Sequence, residues 1–261
     1  FTQGVNILLN LFFGPAVNAA RGIAVQVQGA VTQFSTNFQT AINPQITKSY
    51  AVGDYAYMHS LIFHSSKFTF LLLATISFPV LLETEMILQL WLETVPNYTA
   101  VFVRLMLCTT IIDAMAGAFM VSAQATGAVR VYQSVVGGIL LTIVPVSYIV
   151  LKMGAEPWSV FIVHLCVCIL AFAVRLFILC RMIHLSLSGY FTKVLLRCMG
   201  VLIIALPLPL ILLYFLSDTF INSIMVCLSG LLAMLFSSYV IGLVSNERKF
   251  IKDKILLFLK L

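Results

Sequence analysis

The sequence predicts an all-α integral membrane protein with about seven full transmembrane helices and one partial helix. Charged residues make up 9% of the 261 residues, against about 25% in an ordinary soluble domain. Apolar runs recur along the chain, and several reach the roughly 20 residues that cross about 30 Å of hydrocarbon. These runs lack the alternation of a membrane barrel. Backbone groups in lipid need partners within their own segment, so helices are expected.

The order of the helices follows from the apolar runs. Residues 1–13 are expected to form the partial helix, and residue 1 is interpreted as lying within a helix of a longer protein. Full spans are expected at residues 16–46, 60–82, 99–127, 131–152, 158–183, 192–216 and 220–244. Helix kinks are expected where a proline lacks its N–H donor, at Pro79, Pro145, Pro207 and Pro209. Gly137 and Gly138, close to Pro145, form the expected flexing segment.

The basic residues support this topology. Twelve of the 15 Lys and Arg residues fall on one side of the predicted membrane, whereas Arg21, Arg104 and Lys152 fall on the other. Cytoplasmic loops are enriched in Lys and Arg, so the C-terminus is expected to be cytoplasmic. Residues 246–261 mix cations with apolar residues, which is typical of a helix lying on the inner membrane surface. The net charge of +6 is therefore interpreted as a topology signal, without nucleic-acid binding.

The second helix is the exception to the apolar pattern, because it carries six amide side chains between residues 18 and 39. One face of a helical wheel holds Asn18, Gln26, Gln33, Asn37 and Thr40, and a second polar row holds Arg21, Gln28, Ser35 and Gln39. An unpaired polar group in hydrocarbon costs several kcal/mol. We therefore predict that this helix lines a water-filled cavity, with helix–helix packing as the alternative.

Three features of this helix and a later one suggest binding chemistry. Gln26, Gln33 and Asn37 offer donors and acceptors that suit sugar hydroxyls. Arg21, near the outer end, either attracts a phosphate or extends to the membrane interface. Arg104 either lines the same cavity or extends to the interface in the same way.

Asp113 is the one acid expected deep in a span, where a carboxylate is costly and a functional candidate. It could carry a coupling proton, or ligate Na⁺ with Thr109 or Thr110. Alternatively, neighbouring groups simply hold it. His164 is expected to be a core residue, and the six cysteines are expected to be buried free thiols. No nucleotide-binding loop, metal cluster or hydrolase motif is present in the sequence, so an enzyme is not expected and no cofactor other than Na⁺ or H⁺ is implied.

Several segments together resemble a known family. They are "QGVNILLNLFFGPAVNAARGIAVQVQGAV", "NFQTAINPQITKSYAVGD", "ILQLWL" and "ATGAVRVYQSVVGG". This set resembles the polysaccharide-flippase branch of the multidrug/oligosaccharidyl-lipid/polysaccharide exporter superfamily, in particular the O-antigen flippases of gut Bacteroidetes.

The resemblance implies the second lobe of a two-lobe transporter whose N-terminal lobe is the missing partner. Residues 1–185 would form the C-terminal six-helix lobe, 186–245 two additional helices, and 246–261 a cytoplasmic tail. The cavity between the lobes would bind a lipid-linked oligosaccharide, and membrane lipids would surround the protein. By position, Arg21 and Arg104 match the cations that meet the pyrophosphate in related flippases. Asp113 is the candidate for ion coupling.

The expected function is therefore a flippase of the bacterial inner membrane, acting in lipopolysaccharide or capsule synthesis by alternating access. Two alternatives stay open. One is a cation-coupled multidrug exporter of the same superfamily, and the other is a membrane scaffold subunit that transports nothing.

Overall fold

The protein is a bundle of long helices. A computed structural model describes residues 2–216, 219–245, 247–249 and 252. Of these residues 87% are helical and none lies in a strand. Within this part of the chain, six stretches are long and apolar enough to cross a membrane: Tyr55–Leu82, Thr99–Ala125, Val129–Lys152, Ser159–Ile183, Leu187–Phe215 and Phe220–Gly242. The prediction of an all-α multi-span membrane protein is confirmed.

The first two helices are separated by one residue. Helix α1 spans Thr2–Phe13, and Gly14 adopts a left-handed φ of 79° that lets the chain turn. Helix α2 spans Pro15–Ala51 and begins on proline, the residue best suited to a first helical position. Its 37 residues give a length of about 55 Å, enough to cross a bilayer, although its polarity sets it apart from the six apolar spans.

The next helices extend or divide the predicted spans. Helix α3 covers Tyr55–Leu82 and begins earlier than predicted, because the Asp54 side chain caps it by accepting from the Tyr57 N–H at 3.0 Å. The segment 83–98, between two predicted spans, contains a short helix, α4. The remaining helices up to residue 152 are α4 Thr84–Trp91, α5 Thr99–Met115, α6 Gly117–Ala125, α7 Val129–Leu141 and α8 Ile143–Lys152.

Prolines explain two of the breaks within spans. Pro145 has no N–H to donate to a carbonyl one turn earlier, and the helix breaks there, at Thr142 between α7 and α8. The break does not lie at Gly137 and Gly138, where flexing was expected. A similar break at Leu206 precedes Pro207 and Pro209. Pro79, in contrast, lies inside the continuous α3. The later helices are α9 Ser159–Ile183, α10 Leu187–Tyr190, a π-helix Phe191–Leu195, α11 Leu196–Ala205, α12 Pro207–Phe215, α13 Phe220–Ser237 and a second π-helix Ser238–Gly242.

The core lies where α2, α3 and α5 pack together, with α9 against α5 and α13 against α3. Its largest fully buried side chains include Phe102 and Phe119. A second, smaller cluster of buried residues, Ala123, Tyr132 and Val136, belongs to α6 and α7. The outer faces of α11 and α13 expose large apolar side chains such as Ile203 (63% exposed) and Phe236 (66%). Broad exposed apolar surface of this kind is typical of helices that face lipid.

The two ends of the bundle differ in charge. The turns at 52–54 and 126–128 and the segment 184–186 lie at one end, flanked by Lys48, Arg130 and Arg181. We call this the basic end. The turns at 92–98 and 153–158 lie at the opposite end.

The chain after α13 returns to α3 at the basic end. Both carboxylate oxygens of Glu247 lie 2.7 Å from the Nζ atom of Lys67, and Oε1 lies 2.9 Å from His64 Nε2. Burial by itself would raise the pKa of Glu247. The hydrogen bonds from His64, Lys67 and the Val244 N–H, with the charge of Lys67, outweigh burial and lower this pKa to about 2. Most of the predicted surface helix at 246–261 lies outside the described residues.

Candidate functional site

Helix α2 divides its polar residues between two faces. Small buried residues, Ala20 and Ala24 among them, let it pack closely on its neighbours α3, α5 and α6. Asn18 of the first polar face is half-buried, whereas the other four residues, Gln26, Gln33, Asn37 and Thr40, are all exposed. They lie on the side of α2 that faces away from the rest of the described chain.

The exposed polar face is partly satisfied within its own helix. Gln33 Nε2 donates to Asn37 Oδ1 at 3.1 Å, and the Thr40 hydroxyl donates to the Thr36 carbonyl at 2.8 Å. Gln26 makes no hydrogen bond to another described side chain. This face therefore offers amide and hydroxyl groups to whatever lies beside α2.

The second polar row of α2 points into the bundle. Gln28 Nε2 donates to the Thr110 hydroxyl at 2.9 Å. Gln39 Nε2 donates to the Ala114 carbonyl at 2.8 Å, and its carboxamide lies where a Cβ at Gly117 would be. The glycine thus permits the close approach of the Gln39 side chain to the break between α5 and α6.

These contacts surround a cavity of about 390 Å³, which we call the central cavity. It lies between α2, the α5–α6 break, α7 and α9. Its polar lining residues are Gln28, Thr32, Ser35, Thr36, Gln39, Thr110, Asp113, Tyr132, Gln133 and Arg175. The volume is within the range of ordinary small-molecule sites. A cavity this polar, within helices that cross a membrane, is suited to holding water or a polar ligand.

An ion pair lies at the wall of the central cavity. Arg175 Nη1 of α9 donates to Asp113 Oδ1 of α5 at 2.8 Å. The Cys168 thiol lies 3.8 Å from Asp113 Oδ2. The Asp113 side chain is 40% exposed and the Arg175 side chain 14%, so the carboxylate is the more accessible partner. Pairing of opposite charges offsets part of the cost of placing either one alone in the membrane.

A hydroxyl in the same wall has no partner. Tyr132 of α7 is 2% exposed, and its oxygen makes no hydrogen bond to any described residue. Buried polar atoms are almost always paired. The Tyr132 hydroxyl is one of several enclosed side-chain oxygens in the described chain without a protein partner, so it does not by itself mark a ligand position.

A smaller cavity of about 120 Å³ extends from the same place toward the opposite end. It is lined by Arg21, His164 and Thr2, and it shares Gln28 and Asp113 with the central cavity. Arg21 donates to Asn6 Oδ1 at 3.3 Å and to the Thr2 carbonyl at 3.1 Å. Asp113 and Gln28 thus lie between two polar cavities that follow each other along the bundle.

The remaining candidates lie apart from these cavities. Arg104 Nε donates to the Thr84 hydroxyl at 3.0 Å, and its Nη2 atom lies 3.7 Å from Glu85 Oε1. The Thr109 hydroxyl donates to the Leu105 carbonyl, and Thr109 lines neither cavity, unlike Thr110. The structure therefore brings Arg21, Asp113 and Thr110 together and leaves Arg104 and Thr109 outside.

Sequence analysis missed Arg175, which it placed among the basic-end cations. Counting helical turns from the start of each helix would have shown that Arg175 lies at the depth of Asp113. Asp113 lies about four turns after the start of α5 at Thr99, and Arg175 about four and a half turns after the start of α9 at Ser159. Both helices start at the same end, so the two charges lie at similar depth.

Comparisons of the chain with protein-family models, with curated proteins and with solved structures find no match in any of the three. Among the described residues, no group of three or more His, Cys, Asp or Glu side chains could hold a metal ion. The site therefore has to be interpreted from its own chemistry. It consists of two adjoining cavities with polar lining residues and an ion pair, within a multi-pass membrane protein.

Proposed function

We propose that the chain is part of a flippase that moves a lipid-linked oligosaccharide across a bacterial inner membrane by alternating access. The observation that carries this proposal is the polar central cavity with its Asp113–Arg175 pair, deep within helices that are otherwise apolar. A structural subunit has no need of an exposed amide face and an accessible carboxylate at this depth. The resemblance noted in the sequence gives the substrate class.

The proposed pathway uses both polar rows of α2. Gln26, Gln33, Asn37 and Thr40 would form a wall toward the N-terminal lobe and bind sugar hydroxyls. Arg21 would contact the phosphate groups, for which a guanidinium is a forked donor. The basic end would face the cytoplasm, because Lys and Arg collect on that side of membranes.

Asp113 and Arg175 would couple transport to an ion. A proton or Na⁺ that binds Asp113 weakens its attraction for Arg175, and the released guanidinium can then attract an anionic substrate. Ion and substrate would thus act on one charge pair. An ion or a substrate can drive the change between the two states of alternating access only if it binds one state more tightly than the other.

A drug exporter is less well supported. A cavity for cationic drugs would need an uncompensated acid, whereas Arg175 neutralises Asp113. The two side chains form one ion pair, with 2.8 Å between Arg175 Nη1 and Asp113 Oδ1.

Cysteine labelling tests whether the amide face of α2 borders water. In a cysteine-free background of the full-length protein, Cys at 26, 33 and 37 should react with a membrane-impermeant thiol reagent. Ile203→Cys is the matched control, because Ile203 is 63% exposed on an apolar face of α11. We expect that control to stay unreactive. Equal protection of all four positions, with and without substrate, would contradict a water-lined pathway.

Replacing Arg21 with Gln tests phosphate binding. We expect about tenfold weaker binding of a pyrophosphate-linked substrate, since a charge-assisted hydrogen bond contributes about 1.5–3 kcal/mol. Arg104→Gln is the control, because Arg104 pairs with Glu85 away from both cavities. Binding measured by scintillation proximity should be unchanged in that variant. Equal losses in both variants would remove Arg21 from the proposed site.

A further inference from the structure

A separate cavity of about 510 Å³ lies at the basic end, and we call it the basic-end cavity. It lies between α3, the π-helix Phe191–Leu195 with α11, and the segment after α13. None of the residues that line it lines the central cavity. The proposed transport pathway therefore leaves it without a role.

The charges around the basic-end cavity do not balance. Its lining includes Lys67, Lys193, Arg197 and the carboxylate of Glu247. Glu247 is fully engaged, with 2.7 Å contacts to Lys67 and a 2.9 Å contact to His64. Lys193 and Arg197 pair with no carboxylate among the described residues. In the part of the chain that the structure describes, two cations without a carboxylate partner therefore line one cavity.

The positions of Lys193 and Arg197 allow both cations to bind a ligand in the cavity. Lys193 is exposed, and its Nζ atom lies 5.9 Å from the centre of the Phe63 ring. Arg197 is half-buried and follows one helical turn later. Both side chains line the same cavity, so their charged groups can act on one ligand.

The surroundings indicate where such a ligand comes from. Next to the cavity, α10, the π-helix and α11 expose Leu187, Phe191 and Leu196, each 52% exposed. These apolar side chains continue the lipid-facing surface. A molecule that places an anionic group in the cavity can therefore lay its alkyl chains on this surface, and basic pockets at the cytoplasmic side of helices commonly bind anionic lipid headgroups.

We propose that the basic-end cavity binds a phosphate ester, held by Lys193 and Arg197, and that the headgroup of an anionic phospholipid supplies it. The Arg197 guanidinium can form paired hydrogen bonds with phosphate oxygens, and Lys193 adds a point charge. Glu247 repels an anion, so the phosphate lies on the side of the cavity away from Lys67. This site is independent of the transport proposal, because it shares no lining residue with the central cavity.

The test uses the full-length protein in nanodiscs of phosphatidylcholine, with or without phosphatidylglycerol. Thermal unfolding and native mass spectrometry measure the binding of phosphatidylglycerol. The variant K193Q/R197Q should bind it about 25-fold more weakly, because each Lys or Arg near an anionic surface contributes about 1 kcal/mol. The control K48Q/R181Q removes the same number of charges from the same end, outside the cavity, and should bind like the wild type.

A soluble competitor distinguishes the two sources of phosphate. Glycerol phosphate added to phosphatidylcholine nanodiscs should leave the wild type unchanged if the lipid headgroup is the ligand. Stabilisation of the wild type, but not of K193Q/R197Q, by glycerol phosphate would keep the site and assign it to a free phosphate ester. Equal phosphatidylglycerol binding by K193Q/R197Q and the wild type, or an equal loss in K48Q/R181Q, would overturn the proposal.

Discussion

Replacing Asp113 with Asn is expected to reduce ion-coupled transport about 10- to 100-fold, because it removes a charge-assisted hydrogen bond worth about 1.5–3 kcal/mol. It also leaves the Arg175 guanidinium, 14% exposed, without its carboxylate. We therefore expect the thermal unfolding free energy to fall by about 1–3 kcal/mol. Transport is measured in proteoliposomes with an imposed proton or Na⁺ gradient, and stability is measured by thermal unfolding in detergent.

A double variant separates coupling from stability. In D113N/R175Q no unpaired cation remains, so most of the lost stability should return, whereas ion-coupled transport should stay low. Asp113→Glu keeps the charge and should retain part of the coupling. Wild-type transport by D113N at every gradient would exclude Asp113 from the mechanism. A double variant as unstable as D113N would show that the charge pair does not account for the loss.

Replacing Glu247 with Gln is expected to destabilise the basic end by about 3 kcal/mol, since breaking a buried pair leaves one charge uncompensated. That charge is Lys67, whose side chain is 4% exposed. Glu85→Gln is the matched control. The Glu85 side chain is 71% exposed and lies 3.7 Å from Arg104, and such surface pairs contribute about 0–1 kcal/mol. Thermal unfolding of both variants in the same detergent gives the comparison.

The difference between wild type and E247Q should also depend on pH. The pKa of Glu247 is lowered from 4.5 to about 2, so its stabilising effect is complete above pH 4.5 and is lost as the pH falls toward 2. The two unfolding curves should therefore stay apart above pH 4.5 and converge below it. A constant difference down to pH 2 would mean that the Glu247 charge is not the source of the stability.

The positions of the membrane spans could be predicted well, because the hydropathy of a segment depends only on its own residues. The extra turns at the start of α3 came from the Asp54 cap, and the break at Thr142 came from Pro145 acting one turn upstream. Asp113 was also identified from the sequence, because a lone acid in an apolar span is costly wherever it lies. These features depend on local chemistry.

The partners of the candidate residues could not be predicted in the same way. A helical wheel gives angles within α2 but not the rotation of α2 against its neighbours, which packing at Ala20 and Ala24 determines. The row with Gln28 therefore faces the cavity, whereas the row with Gln26 is exposed. Arg104 lies outside both cavities because Thr84 and Glu85 of α4 contact its guanidinium, and the sequence alone did not indicate this short helix.

The breaks at Ala116 and Thr142 have a mechanical consequence. They interrupt two spans beside the central cavity, and helix kinks form at such interruptions. The helices between the breaks are not free to tilt, because Phe119 of α6 is buried in the main core and α7 packs on α9. Any change in the width of the chamber beside Asp113 therefore has to rearrange the packing around Phe119 as well as the backbone at the two breaks.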